Sequence, residues 1–360
     1  MTAQQIKNSI EVREAISRMR QYKPPLENRD PEVFQLMDFN ESPLAPPPEV
    51  MQKILEFLNS HIHVYPTYGD FLQELGNYCR VSDENLLLTN GSDQAIDIIM
   101  RSLLEKGEEA TMVQPGFQMY NQTARTLGCI LRGPQFPADF CFPHKELKES
   151  VNTKTRLIIL INPNNPTGTS VSLEEIEDLL NSFPDIPVLV DEAYYEFTGE
   201  TCVSLLSNYP KLIVIRTFSK ALALASLRLG YVIASPDFIE ELKKIRGPYD
   251  VNVVALLAAR EQLKIPDQWQ KMVRHLMDES KPALEKYFDE KQVKYFPSKA
   301  NFMLVEPPDV QQAYNFLMEN KILVRPMRPP IAHTFRLSLR MMPEMRHFMD
   351  VFNHYLNSRK

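Results

Sequence analysis

Glycine is scarce in this chain, 11 among 360 residues, and no two of them fall into a G-x-G-x-x-G turn. Without that turn the dinucleotide-binding fingerprint is missing, which argues against a nicotinamide-dependent dehydrogenase. The four cysteines, Cys79, Cys129, Cys141 and Cys202, show neither C-x-x-C pairing nor zinc spacing. They are expected to be free thiols in a reducing compartment. His61 and His63 lie two apart, but no acid or cysteine cluster joins them, so no metal site is expected. A long basic stretch is also lacking, and the net charge is −6. Both argue against a nucleic-acid partner. No apolar run approaches the length of a membrane span. The N-terminal MTAQQIKNSIEVREAI is polar and without the apolar centre of a signal peptide, so a cytoplasmic location is expected.

What is present is an ordinary globular composition, 44% hydrophobic, with length for two or three domains. Proline is plentiful at 28 and gathers in ESPLAPPPEV (41–50) and RPMRPP (325–330), which read as loops. Three short runs, LIILI from Leu157, PVLV from Pro187 and KLIVI from Lys211, are rich in Ile, Val and Leu and end abruptly in polar residues. Such runs predict buried parallel strands. Asn165 follows the first, Asp191 and Tyr194 the second, and Thr217, Ser219, Lys220 and Arg228 the third. Open α/β sheets bind ligands at those strand ends.

One lysine there is ordinary surface chemistry; the combination is not. A lysine amine can carry pyridoxal 5′-phosphate covalently, a carboxylate can keep its pyridine nitrogen protonated, and hydroxyls with an arginine can hold its phosphate. The order Asn, Asp, Tyr, Ser-Lys, Arg resembles the fold-type I aminotransferases of class I/II, most closely the histidinol-phosphate aminotransferases. The resemblance covers nearly the whole chain. Its most specific pieces are NPNNPTG (162–168), DEAYYEF (191–197) and TFSKALALASLRLGY (217–231).

ENLLLTNGSDQAIDIIMRSLL adds a strand ending at Thr89, a turn at Gly91 and a helix whose start favours phosphate. The family commonly reads Gly-Ala-Asp-Glu at Gly91, Ser92, Asp93 and Gln94. The resemblance implies that backbone at Gly91, Ser92 and Asp93, with Thr217, Ser219 and Arg228, holds the cofactor phosphate. Asp191 then takes the ring nitrogen, Tyr194 and Asn165 the ring oxygen, and Phe117 stacks on the ring where relatives usually carry tyrosine. Catalysis falls to Lys220, Asp191 and Tyr194. The resemblance also implies a homodimer in which Tyr65, in HVYPTYGD, reaches the neighbour's phosphate. Substrate is expected at Tyr22 in the N-terminal arm, at Asn40 in MDFNESP, and at Arg325 and Arg336. Arg328 and Arg340 are further candidates, because the loop between Arg325 and Arg336 is shorter than the family's.

The implied fold is α/β. A large domain (36–245) has a mostly parallel sheet flanked by helices, preceded by a helix and arm (1–35) and followed by a smaller α+β domain (246–360). Within the large domain, Ser172 and Glu175 read as a capping box opening a crossover helix. In the small domain a long helix is expected near 267–289, then strands VKYF, NFMLVE, ILVR and FRLSL. The implied reaction passes an amino group from histidinol phosphate to 2-oxoglutarate. An aromatic amino acid aminotransferase, a decarboxylase resembling threonine-phosphate decarboxylase and a non-catalytic cofactor-binding regulator are the alternatives.

Overall fold

The computed structural model describes residues 12–19, 21 and 29–358. Tyr22 lies outside them. The three apolar runs form adjacent parallel strands, Thr155–Ile161, Val188–Asp191 and Leu212–Thr217. In this register Ile161 sits beside Asp191 and Asp191 beside Ile215, so the polar tails leave the sheet side by side. Glu109–Met112 and Ile130–Arg132 extend the sheet on one side, and Gly230–Ile233 and Leu86–Thr89 on the other, making seven strands.

Both faces are covered, which is why the strands are apolar throughout rather than alternating with polar residues. Leu157, Ile159 and Ile161 pack in one core with Ile96, Ile99 and Tyr120 from the helices Gly91–Leu103 and Gln118–Leu127. Ile158 and Leu160 face the other core with Ile176, Leu179 and Leu180. Those three lie on the crossover helix Leu173–Ser182, whose capping box is formed: Ser172 Oγ accepts from the Glu175 amide at 3.2 Å, and Glu175 Oε2 accepts from the Ser172 amide at 2.9 Å.

Gly230–Ile233 runs antiparallel to both of its neighbours. A parallel return needs a crossover of a dozen or more residues, usually a helix. The connection from Phe218 to Leu229 holds only a 3₁₀ turn at Ala225–Leu227, so the chain folds straight back and Thr217 pairs with Gly230. Lys220 and Arg228 are thereby carried on one short connection.

The C-terminal part has its own antiparallel sheet, in the order Arg325–Pro326, Phe335–Ser338, Phe302–Glu306, Lys294–Phe296. The long helix expected near 267–289 runs Pro266–Arg274 and Lys281–Lys291 with a π-helical stretch, His275–Ser280, between them. Pro282, which has no N–H to give to the preceding turn, lies two residues past that stretch. The run ILVR divides: Ile322–Leu323 pairs in parallel with Gln35–Leu36, and Arg325–Pro326 pairs with Phe335–Ser338. Residues 35–40 are thus stitched to the C-terminal sheet, with the Ser338 amide donating to Met37 O at 2.9 Å.

Among the described residues no helix is long and apolar enough to cross a membrane, and no His/Cys/Asp/Glu group is arranged to hold a metal ion. All four cysteines are unpaired.

Candidate active site

Asp191 ends the central strand with its carboxyl buried. Oδ2 accepts from the Tyr120 hydroxyl at 3.0 Å and Oδ1 from the Ala193 amide at 3.1 Å. Burial pushes this carboxyl up to about 6, against the opposing pull of those two donors. A cation set against it would relieve that cost.

Across one strand, the 217–228 connection brings a lysine and an anion cradle together. Lys220 Nζ donates to Phe39 O at 3.0 Å and lies 5.7 Å from the centre of the Tyr194 ring. Thr217 Oγ1 donates to Ser219 Oγ at 2.9 Å and accepts from the Ser219 amide at 3.1 Å, fixing that hydroxyl. Arg228, in a left-handed conformation (φ 56°), aims Nη1 at Ser219 Oγ (3.5 Å) and Nη2 at Asp93 Oδ2 (3.0 Å). Beside them the helix Gly91–Leu103 begins. Gly91 has φ 71°, and a Cβ there would stand 2.5 Å from Arg228 Nη2. One on Gly230 would stand 2.6 Å from Gly91 C and Ser92 N. The helix start, a hydroxyl and a guanidinium therefore meet where Gly91 and Gly230 contribute no Cβ, an arrangement suited to a phosphate.

On the opposite wall, the Tyr194 hydroxyl accepts from Asn165 Nδ2 at 3.1 Å and from Asn40 Nδ2 at 3.0 Å. Arg336 is buried; its Nη1 bonds Asn165 Oδ1 and its Nη2 donates to Asp38 O at 2.8 Å. Arg325 pairs across from Arg336 in the sheet and lies 5.4 Å from the Phe39 ring centre. Phe117, just ahead of the helix Gln118–Leu127, completes the lining of a cavity of about 680 Å³. The same cavity is bordered by Asn40, Ser92, Asp93, Asn165, Asp191 and Tyr194. Thr217, Ser219, Lys220, Arg228, Arg325 and Arg336 line it too, so residues scattered over nearly 300 positions converge there.

Residues 35–352 match the family described as aminotransferase class I and II. The chain belongs to that family. It is a pyridoxal-phosphate-dependent aminotransferase, passing an amino group from a small-molecule donor to a 2-oxo acid. The histidinol-phosphate aminotransferase of Thermoanaerobacter sp. (strain X514) is 34% identical over 293 residues, 80% of this chain and 83% of that protein. The histidinol-phosphate aminotransferase from Sinorhizobium meliloti, solved in complex with pyridoxal-5′-phosphate, superposes with a TM-score of 0.89 at 22% identity, covering 98% of this chain and 100% of that one. The L-threonine-O-3-phosphate decarboxylase from Porphyromonas gingivalis has the same fold, with a TM-score of 0.77 at 22% identity over 89% of this chain and 99% of that one.

The cavity of this aminotransferase fits its cofactor. The buried Asp191 carboxyl, the Lys220 amine and the cradle of Ser219 and Arg228 lie around one space. Tyr65 stands apart, 76% exposed and stacked on Tyr249 with ring centres 4.6 Å apart. Arg340 also falls outside the cavity, bonded to Glu344 at 2.9 Å and Ser42 O at 3.3 Å, whereas Arg328 borders it.

Tyr120 was not singled out in the sequence. Its signal is the i, i+3 spacing from Phe117, which brings both to the sheet side of one helix start. A second group unseen in the sequence lies behind Asp191. Arg216, buried in the strand Leu212–Thr217, pairs with Glu192 at 2.9 Å, donates to Thr201 Oγ1 at 2.6 Å and covers the Tyr195 ring at 3.6 Å. It clamps the strand ends that present Asp191 and Thr217.

Proposed function

We propose that this aminotransferase uses histidinol phosphate as amino donor and 2-oxoglutarate as acceptor. One observation carries the reading. Asp93 and Asp191 are the acids among the cavity's lining residues, while Arg325, Arg328 and Arg336 border its far side. That end is suited to a substrate bearing a dianion, and the curated relatives named histidinol-phosphate aminotransferases support the choice.

When bound, pyridoxal phosphate supplies an electron sink for the carbon that carries the amino group. Asp191 would hold the pyridine N–H, Tyr194 would donate to the ring oxygen and Phe117 would cover a ring face, while Asn165 braces Tyr194 against Arg336. The Gly91–Asp93 backbone, the Ser219 hydroxyl set by Thr217, and Arg228 hold the phosphate. Lys220 Nζ would hold the cofactor covalently, and as a free amine it would take up the proton lost by the substrate's amino-bearing carbon. Arg336 offers a planar fork to the acceptor's carboxylate, and Arg325, with Tyr22 of the arm, takes the donor's phosphate. The division at 36 and 246 belongs to the same reading, as does a cytoplasmic location.

A panel of donors with 2-oxoglutarate tests the choice. Glutamate should form fastest from histidinol phosphate, and unphosphorylated histidinol should be slower by on the order of 10²-fold or more, because the charge-assisted bonds to the phosphate would be lost. Preference for phenylalanine would reassign the enzyme to aromatic amino acids, and carbon dioxide released from threonine phosphate would make it a decarboxylase.

The reading includes a homodimer. Met51, Leu55 and Leu58 on the helix Pro48–Ser60 are exposed, as are Ile62, Val64 and Tyr65 beyond it, an apolar surface of the kind that partners cover. Tyr65 then reaches the partner's phosphate. Tyr65→Phe should weaken cofactor affinity roughly tenfold, the worth of one charge-assisted bond. A hybrid of Tyr65→Phe and Lys220→Ala chains should restore it at the intact-lysine site. Affinity in the hybrid as weak as in the Tyr65→Phe homodimer would refute the cross-subunit role.

A further inference from the structure

Tyr194 can serve the cofactor's ring oxygen only if its phenolic hydrogen points there, and a phenol's hydrogen can take either direction in the ring plane, as its partners dictate. Two amide donors remove that freedom. Asn165 Nδ2 at 3.1 Å and Asn40 Nδ2 at 3.0 Å both give hydrogens to the Tyr194 oxygen. With its acceptor directions occupied, the phenol must send its own hydrogen away from both amides. The ring of Tyr194 is packed edge-on against Phe302, with centres 5.1 Å apart, so the hydroxyl cannot swing aside.

Asn40 is built for this contact. It is 1% exposed and adopts the left-handed region at φ 57°, which asparagine tolerates better than most residues. Its Oδ1 accepts from Ser338 Oγ at 3.1 Å, so the amide nitrogen, rather than the oxygen, faces Tyr194. Its main-chain N–H donates to the same Ser338 Oγ at 2.9 Å, and its carbonyl accepts from Asn301 Nδ2 at 3.1 Å. Apart from one amide hydrogen, its donors and acceptors are engaged within the protein. The C-terminal sheet, through Ser338, therefore fixes the amide that fixes the phenol.

We propose that Asn40 is a positioning residue that sets the direction of the Tyr194 hydroxyl hydrogen, and that it acts through Tyr194 rather than by holding substrate. The inference rests on Tyr194 donating to the ring oxygen, and the experiment separates the two. The readout is the pH midpoint of the visible-spectrum transition of the lysine-linked cofactor, which reports how well negative charge on the ring oxygen is stabilised. Only folded, loaded protein contributes to it.

Tyr194→Phe should raise the midpoint by about one pH unit, and Asn40→Ala by about half a unit, because a misdirected donor loses part of a charge-assisted bond. Ser338→Ala, which frees the Asn40 amide without emptying its place, should move it in the same direction by less. In the Tyr194→Phe background neither substitution should shift it further. In steady state Asn40→Ala should lower kcat while leaving KM for 2-oxoglutarate within about twofold. If Tyr194→Phe moves the midpoint and Asn40→Ala does not, the positioning role is wrong. An Asn40→Ala shift that persists in the Tyr194→Phe background overturns it equally, and an unmoved midpoint in Tyr194→Phe itself overturns the reading of Tyr194 as well.

Discussion

Lys220→Ala is expected to lose transamination and the visible absorption of the lysine-linked cofactor together. Proton transfer by a positioned side chain is worth on the order of 10²–10⁴-fold by itself, and here the same amine also forms the covalent attachment, so the loss should exceed that range. The fold should survive, because Lys220 is half-buried and, among the described residues, its amine bonds only Phe39 O, at 3.0 Å. The phosphate cradle of Arg228 and Ser219 is untouched by the change, so the variant should still bind the cofactor reversibly and release it on gel filtration. Retention of the wild-type absorption band by Lys220→Ala would remove the lysine from its role.

Asp191→Asn is expected to cost on the order of 10²–10³-fold in kcat, the scale seen when a preorganised electrostatic partner is taken from a reacting group. The amide keeps the shape but cannot hold a charged pyridine nitrogen. A second measurement uses the cofactor-free protein. The folded carboxyl titrates near 6 against an ordinary 3.8, raised by burial. A raised carboxyl contributes stability that is full below the lower value and is lost as pH rises through the higher one. The urea midpoint of cofactor-free wild type should therefore fall between about pH 4 and pH 6 relative to Asp191→Asn. Cofactor loading, by placing a cation on Asp191, should recover it. Parallel pH curves for the two proteins would show that this carboxyl does not carry the burial cost.

Much of this site could be read along the chain because its residues sit where apolar runs stop. Asn165, Asp191 and Lys220 each follow a strand whose composition announces it, and the capping box at Ser172 marks the crossover between two of them. The segments that escaped the sequence depend on pairing rather than pattern. Gln35–Leu36 is two residues long and gains strand character only from Ile322–Leu323, more than 280 positions away. The division of ILVR follows from the same pairing. Tyr120 looks like any core tyrosine until the fold brings Asp191 under its hydroxyl. Arg216 sits in a largely apolar strand, where a charge is unexpected until Glu192, just past the end of the neighbouring strand, is seen to face it.

The direct return of the chain between Thr217 and Gly230 has a consequence for how this enzyme can diverge. Loops that end at solvent absorb extra residues cheaply, but this one is pinned at both ends of its span. Phe218 donates to Leu229 O at 3.0 Å, and the Leu224 amide donates to Phe218 O at 3.0 Å. An insertion between Lys220 and Arg228 would displace the amine relative to the guanidinium. Length variation among functional descendants of this sequence should therefore be purged from the seven residues between its lysine and its arginine.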